Sequence, residues 1–475
     1  MRKKLLTIIP AVLLLAALLV ACDNGADADD AYNGDNEPPT LDEEPDVEGT
    51  PIEEFLFSFH EETEGMSIDR HVGPSLSVQI PAMIDGIPVT RIGADAFGRS
   101  SITSVYLPST LIEIGYGSFF ATDLTDIEFP DGLTTIEDRA FSVTQLTSVV
   151  FPEGLTTIGN RAFWSAPLTS VVFPESLTTI GESAFERTRL RSVIFPDGLT
   201  TIEYRAFMST PLTSVEFPGG LTTIGRMAFV GTEFTSIVLP EGLTTIGIEA
   251  FARSRLRNVE FPDGLTTIGH GAFSQTHLTS IVLPEGLTTI GDNAFWLTPL
   301  TSVEFPEGLT TIGDYAFSAT QLTNVEFHDG LTTIGDNAFW RTPLISVVFP
   351  EGLTTIGESA FSGTQLTSVV LPEGLITIGE WAFSRTPLTS VEFPESLTTI
   401  RNGAFSRTQL TSVVFPDSVT RIDSLAFAHI PTLVDVTIGS GVRFLCAGAF
   451  SGNSALSEES QQQILAITPD SFFFS

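Results

Sequence analysis

Cysteine and lysine are nearly absent from this sequence. Its 475 residues include only Cys22 and Cys446, which are too few and too far apart for a disulfide framework. Lysine occurs only at Lys3 and Lys4, so every later basic residue is an arginine. The 22 basic residues are outnumbered by 58 acidic ones, giving a formal charge of −36. Because nucleic-acid binding needs clustered Lys and Arg, this composition excludes nucleic acid as the partner.

Histidine is also scarce, and its six copies share no repeated position with a partner residue. Nucleophilic catalysis needs a base beside the nucleophile, and a metal centre needs several ligands together. The lone thiol of Cys446 has no neighbouring Cys or His in sequence. We therefore predict no enzymatic activity, no metal and no cofactor.

The N-terminus has the pattern of a secretory signal. Three basic residues at 2–4 precede an apolar run from Leu5 to Val20, which is too short for a comfortable bilayer span. The run Leu19-Val20-Ala21-Cys22 resembles a bacterial lipobox. That resemblance implies cleavage before Cys22 and acylation of its thiol and new amino group, which gives stable membrane anchoring. The alternative is an ordinary signal peptide with an incidental cysteine.

An acidic segment follows. From Asp23 to Glu64 the chain has 16 acidic residues and neither Lys nor Arg. Such a segment cannot bury enough apolar surface to offset its ordering entropy. We expect an extended, self-repelling tether between the lipid and a folded domain.

Most of the remaining chain is one motif repeated. Phenylalanine recurs every 22 residues, and a last copy follows after 23. The recurring residues are Phe97, Phe119, Phe141, Phe163, Phe185, Phe207, Phe229, Phe251, Phe273, Phe295, Phe317, Phe339, Phe361, Phe383, Phe405, Phe427 and Phe450. This period is too short for βαβ units of about 30 residues or propeller blades of about 40. It predicts a solenoid of about seventeen coils, mainly β with short 3-10 or helical turns.

One unit shows the expected geometry. Strand alternation places Val149 inward and Val150 outward. Pro152-Glu-Gly154 predicts a turn in which Gly tolerates positive φ, and Gly159 predicts another turn. Ala162-Phe163 is expected in a short helical or 3-10 turn that directs the phenylalanine into the core.

The recurring Pro-[Glu/Asp]-Gly, Leu-Thr-Thr-Ile-Gly and Ala-Phe motifs resemble the BspA-like, or treponemal-type, bacterial leucine-rich repeats. The resemblance covers Ser77 to Gly452 and recurs in every unit. Family members often carry Cys shortly after the Phe, where this chain mostly has Thr, as at Thr144 and Thr188. The resemblance implies a right-handed leucine-rich-repeat solenoid, display on the cell surface and binding to host or microbial proteins.

An open solenoid needs caps at both ends. We expect a capping strand at Phe55–Phe59 and a short helix whose N-cap is Ser457, with Ile464, Leu465 and Ile467 facing the last coil and the terminal Phe472-Phe473-Phe474 docked there. The predicted organisation is a signal peptide with lipidated Cys22 (1–22), a disordered tether (23–54), an N-terminal cap (55–76), the solenoid (77–452) and a C-terminal cap (453–475).

The outward strand positions are the candidate binding surface. Val150, Val172 and Ile194 fill one outward column in three successive coils, and Glu216 interrupts it. Val348 and Val370 make a shorter stripe. Contiguous exposed apolar area often marks an interface. The alternative is that these β-branched residues only favour strand formation.

Tryptophan offers a second candidate. Trp164, Trp296 and Trp340 share one repeat position. They are either exposed platforms for stacking a glycan or partly buried against the neighbouring coil. Columns of acidic residues next to the turns are either solvated surface or calcium ligands.

These features predict a lipid-anchored, monomeric surface protein of the adhesin type, which binds host or microbial surface proteins and contacts the membrane only through its lipid. The alternatives are a polysaccharide-binding lipoprotein and an envelope scaffold without an external ligand.

Overall fold

The computed structural model describes residues 49–467. The lipidation predicted at Cys22, the tether up to residue 48 and the docking of Phe472-Phe473-Phe474 lie outside these residues. The described part is a β-solenoid in which each coil contributes two short strands. The expected solenoid of about seventeen coils is confirmed.

Each coil begins with a strand of the first series, usually three residues long. These strands are β3 (Ser77–Gln79), β6 (Ser104–Tyr106), β8 (Asp126–Ile127), β10 (Ser148–Val150), β12 (Ser170–Val172), β14 (Ser192–Ile194), β16 (Ser214–Glu216), β18 (Ser236–Val238), β20 (Asn258–Glu260), β22 (Ser280–Val282), β24 (Ser302–Glu304), β26 (Asn324–Glu326), β28 (Ser346–Val348), β30 (Ser368–Val370), β32 (Ser390–Glu392), β34 (Ser412–Val414) and β36 (Asp435–Thr437).

The second series follows the Pro-containing turn. It comprises β5 (Ile87–Ile92), β7 (Glu113–Ile114), β9 (Thr135–Ile136), β11 (Thr157–Ile158), β13 (Thr179–Ile180), β15 (Thr201–Ile202), β17 (Thr223–Ile224), β19 (Thr245–Ile246), β21 (Thr267–Ile268), β23 (Thr289–Ile290), β25 (Thr311–Ile312), β27 (Thr333–Ile334), β29 (Thr355–Ile356), β31 (Thr377–Ile378), β33 (Thr399–Ile400), β35 (Arg421–Ile422) and β37 (Phe444–Leu445).

The two series pair differently. The second series is a continuous parallel ladder within one 20-stranded sheet, which also takes in three strands near the N-terminus: β1 (Phe55–His60), β2 (Gly65–His71) and β4 (Met83–Ile84). The first series is divided into parallel pairs such as β10–β12 and β14–β16, apart from the triplet β3–β6–β8. Every coil is therefore hydrogen-bonded to its neighbours through the second series, even where the first series is interrupted.

The core is a stack of identical layers. In one coil, Leu146, Leu155, Ile158 and Phe163 are completely buried. The recurring phenylalanines form a ladder whose successive ring centroids lie 5.0–5.7 Å apart and whose planes tilt by 3–15°. The predicted inward position of these rings is confirmed, and their spacing equals one coil step.

The turn that carries each core phenylalanine keeps hydrogen bonds of the expected 3-10 type but does not form a continuous helix. The amides of Trp164 and Ala166 donate to the carbonyls of Arg161 and Phe163, three residues earlier, at 3.1 Å. Around Phe163, the flanking residues Arg161 and Ser165 adopt positive φ values of 56° and 57°. The amides of these three residues donate to carbonyls of the next coil at 2.7–2.9 Å. Alternate amides of the turn therefore bond to the next coil, and the amides between them bond within the turn, so the backbone is satisfied without a continuous helix.

Gly154 does not adopt the positive φ that its turn was expected to use, and the φ of Gly159 is not positive either. Close backbone approach explains Gly159 instead. A Cβ there would stand 2.5 Å from the backbone nitrogen of Asp138 in the preceding coil. Glycine at this position therefore lets the backbones of successive coils approach closely.

A matched pair of substitutions tests this role. At Gly247 an added Cβ would lie 2.6–2.9 Å from backbone atoms of the preceding coil, whereas at Gly219 nothing lies within 4 Å. We expect Gly247→Ala to lower the free energy of unfolding by about 1–3 kcal/mol, because the coils must shift apart. Gly219→Ala should instead be neutral or raise it by about 0.4–1 kcal/mol. Chemical denaturation measures both, and equal effects would contradict the close-approach argument.

The N-terminal cap continues the aromatic ladder with different chemistry. Strand β1 pairs antiparallel with β2, and Phe55 is buried. The imidazole of His71 stacks on Phe97 at 5.4 Å, and its Nε2 lies 3.1 Å from a carboxylate oxygen of Glu54. A hydroxyl hydrogen bond from Ser75 is the main cause that lowers the pKa of Glu54. A short 3-10 helix, Ile52–Glu54, brings that carboxylate to the cap.

The C-terminal cap is the helix α1 (Glu458–Ile467). It begins directly after Ser457, whose hydroxyl accepts a hydrogen bond from the amide of Ser460 at 3.3 Å. Ile464 is completely buried, and Leu465 packs partly buried against the core. The hydroxyl of Ser460 also accepts a hydrogen bond from the amide of Val436, so the helix covers the edge of β36.

Candidate binding surfaces

The first-series strands expose one apolar column. Strand alternation buries Val149 and directs Val150 outward, as predicted. Val150, Val172 and Ile194 expose 65%, 57% and 67% of their surface. We call these three residues the N-terminal stripe. Val150 and Val172 are direct register partners in the β10–β12 pair, whereas Ile194 lies in the next coil, where it pairs with Glu216.

The shorter stripe is larger than the sequence suggested. Val348 and Val370 are 54% and 83% exposed. Ile345, three positions before Val348, is 57% exposed as well. It replaces a threonine that occupies this position in most coils, for example Thr169. That break in a regular polar column is the sequence signal that would have identified it. We call Ile345, Val348 and Val370 the C-terminal stripe.

Glutamates isolate the remaining apolar residues of the column. Val238 pairs in register with Glu260, and Val282 pairs with Glu304. Val282 is 70% exposed, but it lies between coils that carry Glu at this position. Within residues 49–467, the outward column that contains Val150 and Glu216 therefore has apolar side chains in adjacent coils only at the two stripes.

The predicted tryptophans are half-buried. Trp164, Trp296 and Trp340 all lie in the turn that follows the core phenylalanine. The guanidinium carbon of Arg341 lies 4.2 Å from the centroid of the Trp340 ring, and that of Arg187 lies 5.8 Å from Trp164. At Trp164 and Trp340 the indole is therefore partly buried and faces an arginine side chain, as in a cation–π contact.

The acidic column near the turns has a structural role. A carboxylate oxygen of Asp292 accepts a hydrogen bond from the amide of Asp314 at 2.9 Å, and Asp314 does the same for Asp336 at 2.7 Å. Burial is the main cause that raises the pKa of Asp314. The hydrogen bond from the amide of Asp336 lowers this pKa, whereas the negative charges of Asp336 and Asp292 raise it further. In residues 49–467, no three His, Cys, Asp or Glu side chains come together as metal ligands would.

The threonine three residues after the core phenylalanine is buried and hydrogen-bonded. The hydroxyl of Thr144 donates to the carbonyl oxygen of Phe141 at 3.0 Å, and Thr188 does the same to Phe185 at 2.9 Å. This bond fixes the end of the turn that carries the core phenylalanine.

Helix α1 is too short to cross a bilayer, and no other helix in the described chain has the length and apolarity required.

One solved structure shows the same fold, and two further structures match with lower scores. A leucine-rich repeat protein from Bacteroides ovatus superposes with a TM-score of 0.52 at 24% identity, covering 90% of this chain and 99% of that one. A leucine rich cell surface protein from Faecalibacterium prausnitzii matches at 24% identity over 83% of this chain and 95% of that one, with a TM-score of 0.40. The leucine rich repeat protein of T. pallidum is 28% identical over 43% of this chain and 88% of that one, with a TM-score of 0.35.

No curated protein matches the chain. The sequence model of the BspA type leucine rich repeat region, with six copies, matches residues 83–188, 156–259, 222–345 and 332–457. These overlapping matches span most of the solenoid. The chain therefore belongs to the BspA-type leucine-rich-repeat proteins.

Proposed function

We propose that this protein is a lipid-anchored cell-surface protein that binds a host or microbial surface protein through the N-terminal stripe. Proteins of this repeat type are typically found at the cell surface and are typically not enzymes. The observation that supports the proposal most directly is the stripe itself. Three adjacent coils expose Val150, Val172 and Ile194 by more than half of their surface, although the solenoid buries its core without them.

Neighbouring residues suit a specific contact. The stripe is flanked along each strand by exposed serines, such as Ser148 and Ser170, which can accept and donate hydrogen bonds at the rim. Glu216 closes the stripe at one end. A small apolar centre with a polar rim is the usual anatomy of a protein interface. The C-terminal stripe, which spans two adjacent coils, is the second protein-binding candidate.

Val172→Arg tests the N-terminal stripe. Because Val172 is 57% exposed, the folded state should change by only about 0.5 kcal/mol. A charge forced into a desolvated contact should weaken binding by about 2 kcal/mol or more. The ligand is first isolated by pull-down of host extracellular proteins with the full chain, and its affinity is then measured by surface plasmon resonance.

Val282→Arg is the matched control, since it changes the same column between two glutamate-bearing coils. Its affinity should remain that of the unaltered chain, and circular dichroism verifies folding of both variants. Unchanged affinity in a folded Val172→Arg variant would reject the N-terminal stripe. Selective loss with Val370→Arg would assign binding to the C-terminal stripe instead.

Cys22→Ser tests the anchor. The Leu19-Val20-Ala21-Cys22 sequence predicts acylation at the thiol, so the variant should move from the membrane fraction to the soluble fraction. Detergent partitioning and mass spectrometry of the N-terminal peptide measure the change. A variant that stays membrane-bound would exclude a lipid at Cys22 as the anchor.

A further inference from the structure

A cleft of about 520 Å³ lies on the turn side of the C-terminal coils. Its floor consists of Ser362, Ser384 and Ser406, each at most 7% exposed. These serines occupy the repeat position that holds Trp340 one coil earlier. Three small residues after a large one leave a depression in the turn surface, and the Trp340 indole bounds one end of it.

The cleft carries positive charge without compensation. Arg341, Arg385 and Arg407 line it, all at the position two residues after a core phenylalanine. In residues 49–467, none of the three lies within 4.0 Å of a carboxylate, and no lining residue is acidic. Among the other described arginines, only Arg91, Arg187, Arg255 and Arg421 have a carboxylate within 4.0 Å. What distinguishes Arg341, Arg385 and Arg407 is that all three line one cleft without an acidic residue, in a chain of net charge −36.

Backbone preference does not explain arginine at these positions. Arg341, Arg385 and Arg407 have φ values of 57°, 60° and 61°, in the left-handed region that few non-glycine residues adopt. Gly363 holds the same position in the coil between the first two, with a φ of 73°. Its missing side chain opens the cleft between Arg341 and Arg385. The same conformation recurs at this position in the other coils, as in Ser165 and Arg253, so it belongs to the repeat and only the choice of arginine is particular to the cleft.

Two aromatic side chains are held in place at the cleft. The Trp340 ring lies 4.2 Å from the guanidinium carbon of Arg341. The six-membered ring of Trp381 packs onto Gly403 in the next coil and occupies the space that a Cβ would need. Gly403 therefore creates the seat for this indole, which lines the cleft together with the arginines.

We propose that this cleft binds an acidic oligosaccharide through its carboxylate or sulfate groups. Guanidinium forks bind such groups in bidentate fashion. Aromatic rings pack against the apolar faces of sugar rings, and the small floor serines leave room for a sugar beside the arginines. Successive core rings of these coils are 5.4–5.6 Å apart, which gives the length of one coil step. Arg385 and Arg407 are one coil apart, and Arg341 and Arg385 are two coils apart. An extended chain of charged sugars matches this row.

Competing anions fit less well. A nucleic acid would bring many phosphates against a strongly acidic protein with only a few arginines to neutralise them. An acidic peptide would use the arginines but not the two indoles. This site is separate from the proposed protein-binding stripes, which lie on the first-series strands rather than on the turns.

Calorimetry with the full chain tests the proposal. The probes are a tetragalacturonate, which carries carboxylates, and a chondroitin sulfate tetrasaccharide, which carries sulfate as well. We expect one or both to bind and to quench tryptophan fluorescence. The double variant Arg385→Ala, Arg407→Ala should weaken binding by at least about tenfold, because charge-assisted hydrogen bonds are lost. Arg253→Ala is the matched control, since Arg253 holds the same repeat position with a φ of 58° outside the cleft, and its affinity should not change.

Further arms separate sugar recognition from charge alone. Trp381→Leu keeps an apolar side chain on Gly403 but removes the aromatic face, and it should weaken binding of the acidic sugars. Neutral cellotetraose should not bind measurably, and hexaglutamate should bind more weakly than the sugars. The proposal is overturned if neither sugar binds, if the double arginine variant binds as well as Arg253→Ala, or if hexaglutamate binds as tightly and Trp381→Leu has no effect.

Discussion

Replacing Phe273 with alanine is expected to lower the free energy of unfolding by about 3–5 kcal/mol. The ring is completely buried and stacks between Phe251 at 5.5 Å and Phe295 at 5.6 Å. It also meets the edge of Phe261 at 5.6 Å. The substitution therefore leaves a cavity and removes three ring contacts, and neighbouring backbones cannot close the gap because their hydrogen-bond ladder fixes the coil spacing.

The damage should be local, because each coil contacts mainly its neighbours. Hydrogen exchange followed by mass spectrometry should show lost protection centred on the coils of Phe251, Phe273 and Phe295. Phe261→Leu is the control, since leucine already occupies that position in the flanking coils at Leu239 and Leu283. It should cost less than about 1.5 kcal/mol. Equal protection in the Phe273→Ala variant and the unaltered chain would contradict the layered core.

The repeat period made much of this fold predictable. A strict step of 22 residues fixes which residues stack, and strand alternation then decides that Val149 faces inward and Val150 outward. Both predictions depend only on spacing, so a single sequence suffices. The exposure of the N-terminal stripe follows from the same rule.

Backbone conformation within the turns was not predictable in the same way. Local propensity places glycine, not arginine, at positive φ, yet Arg161 adopts it and Gly159 does not. The cause is tertiary: the amide of Arg161 bonds the next coil, while Gly159 avoids the backbone of the preceding one. The cleft was missed for a related reason, since its shape depends on Gly363 and Gly403, whose missing side chains have meaning only once the coils are stacked.

The last coils contain a substitution pair with a large expected effect. In most internal coils a threonine hydroxyl bonds the carbonyl of the core phenylalanine three residues earlier, as in Thr408 and Phe405 at 2.9 Å. At the corresponding place after Phe427 the chain has Ile430, which cannot make this bond. The carboxamide of Asn453, one coil later, supplies it instead.

Asn453 makes two buried hydrogen bonds to the preceding coil. Its Nδ2 donates to the carbonyl oxygen of Phe427, and its Oδ1 accepts from the amide of Ile430, both at 2.7 Å. Because Asn453 is only 1% exposed, water cannot replace either partner without opening the cap. Asn453→Ala should therefore cost about 2–5 kcal/mol, from two backbone groups that lose their partners.

A second substitution should recover part of this loss. Ile430→Thr restores the hydroxyl found in internal coils, which can bond the carbonyl of Phe427 when Asn453 is gone. Alone, Ile430→Thr should destabilise the chain, because it replaces a fully buried apolar side chain while Asn453 already holds the carbonyl. In the Asn453→Ala background it should cost less, or stabilise. Urea denaturation of the two single variants and the double variant gives the coupling energy, which we expect to be about 1 kcal/mol or more. Strict additivity would show that Asn453 stabilises the cap by packing rather than by these two hydrogen bonds.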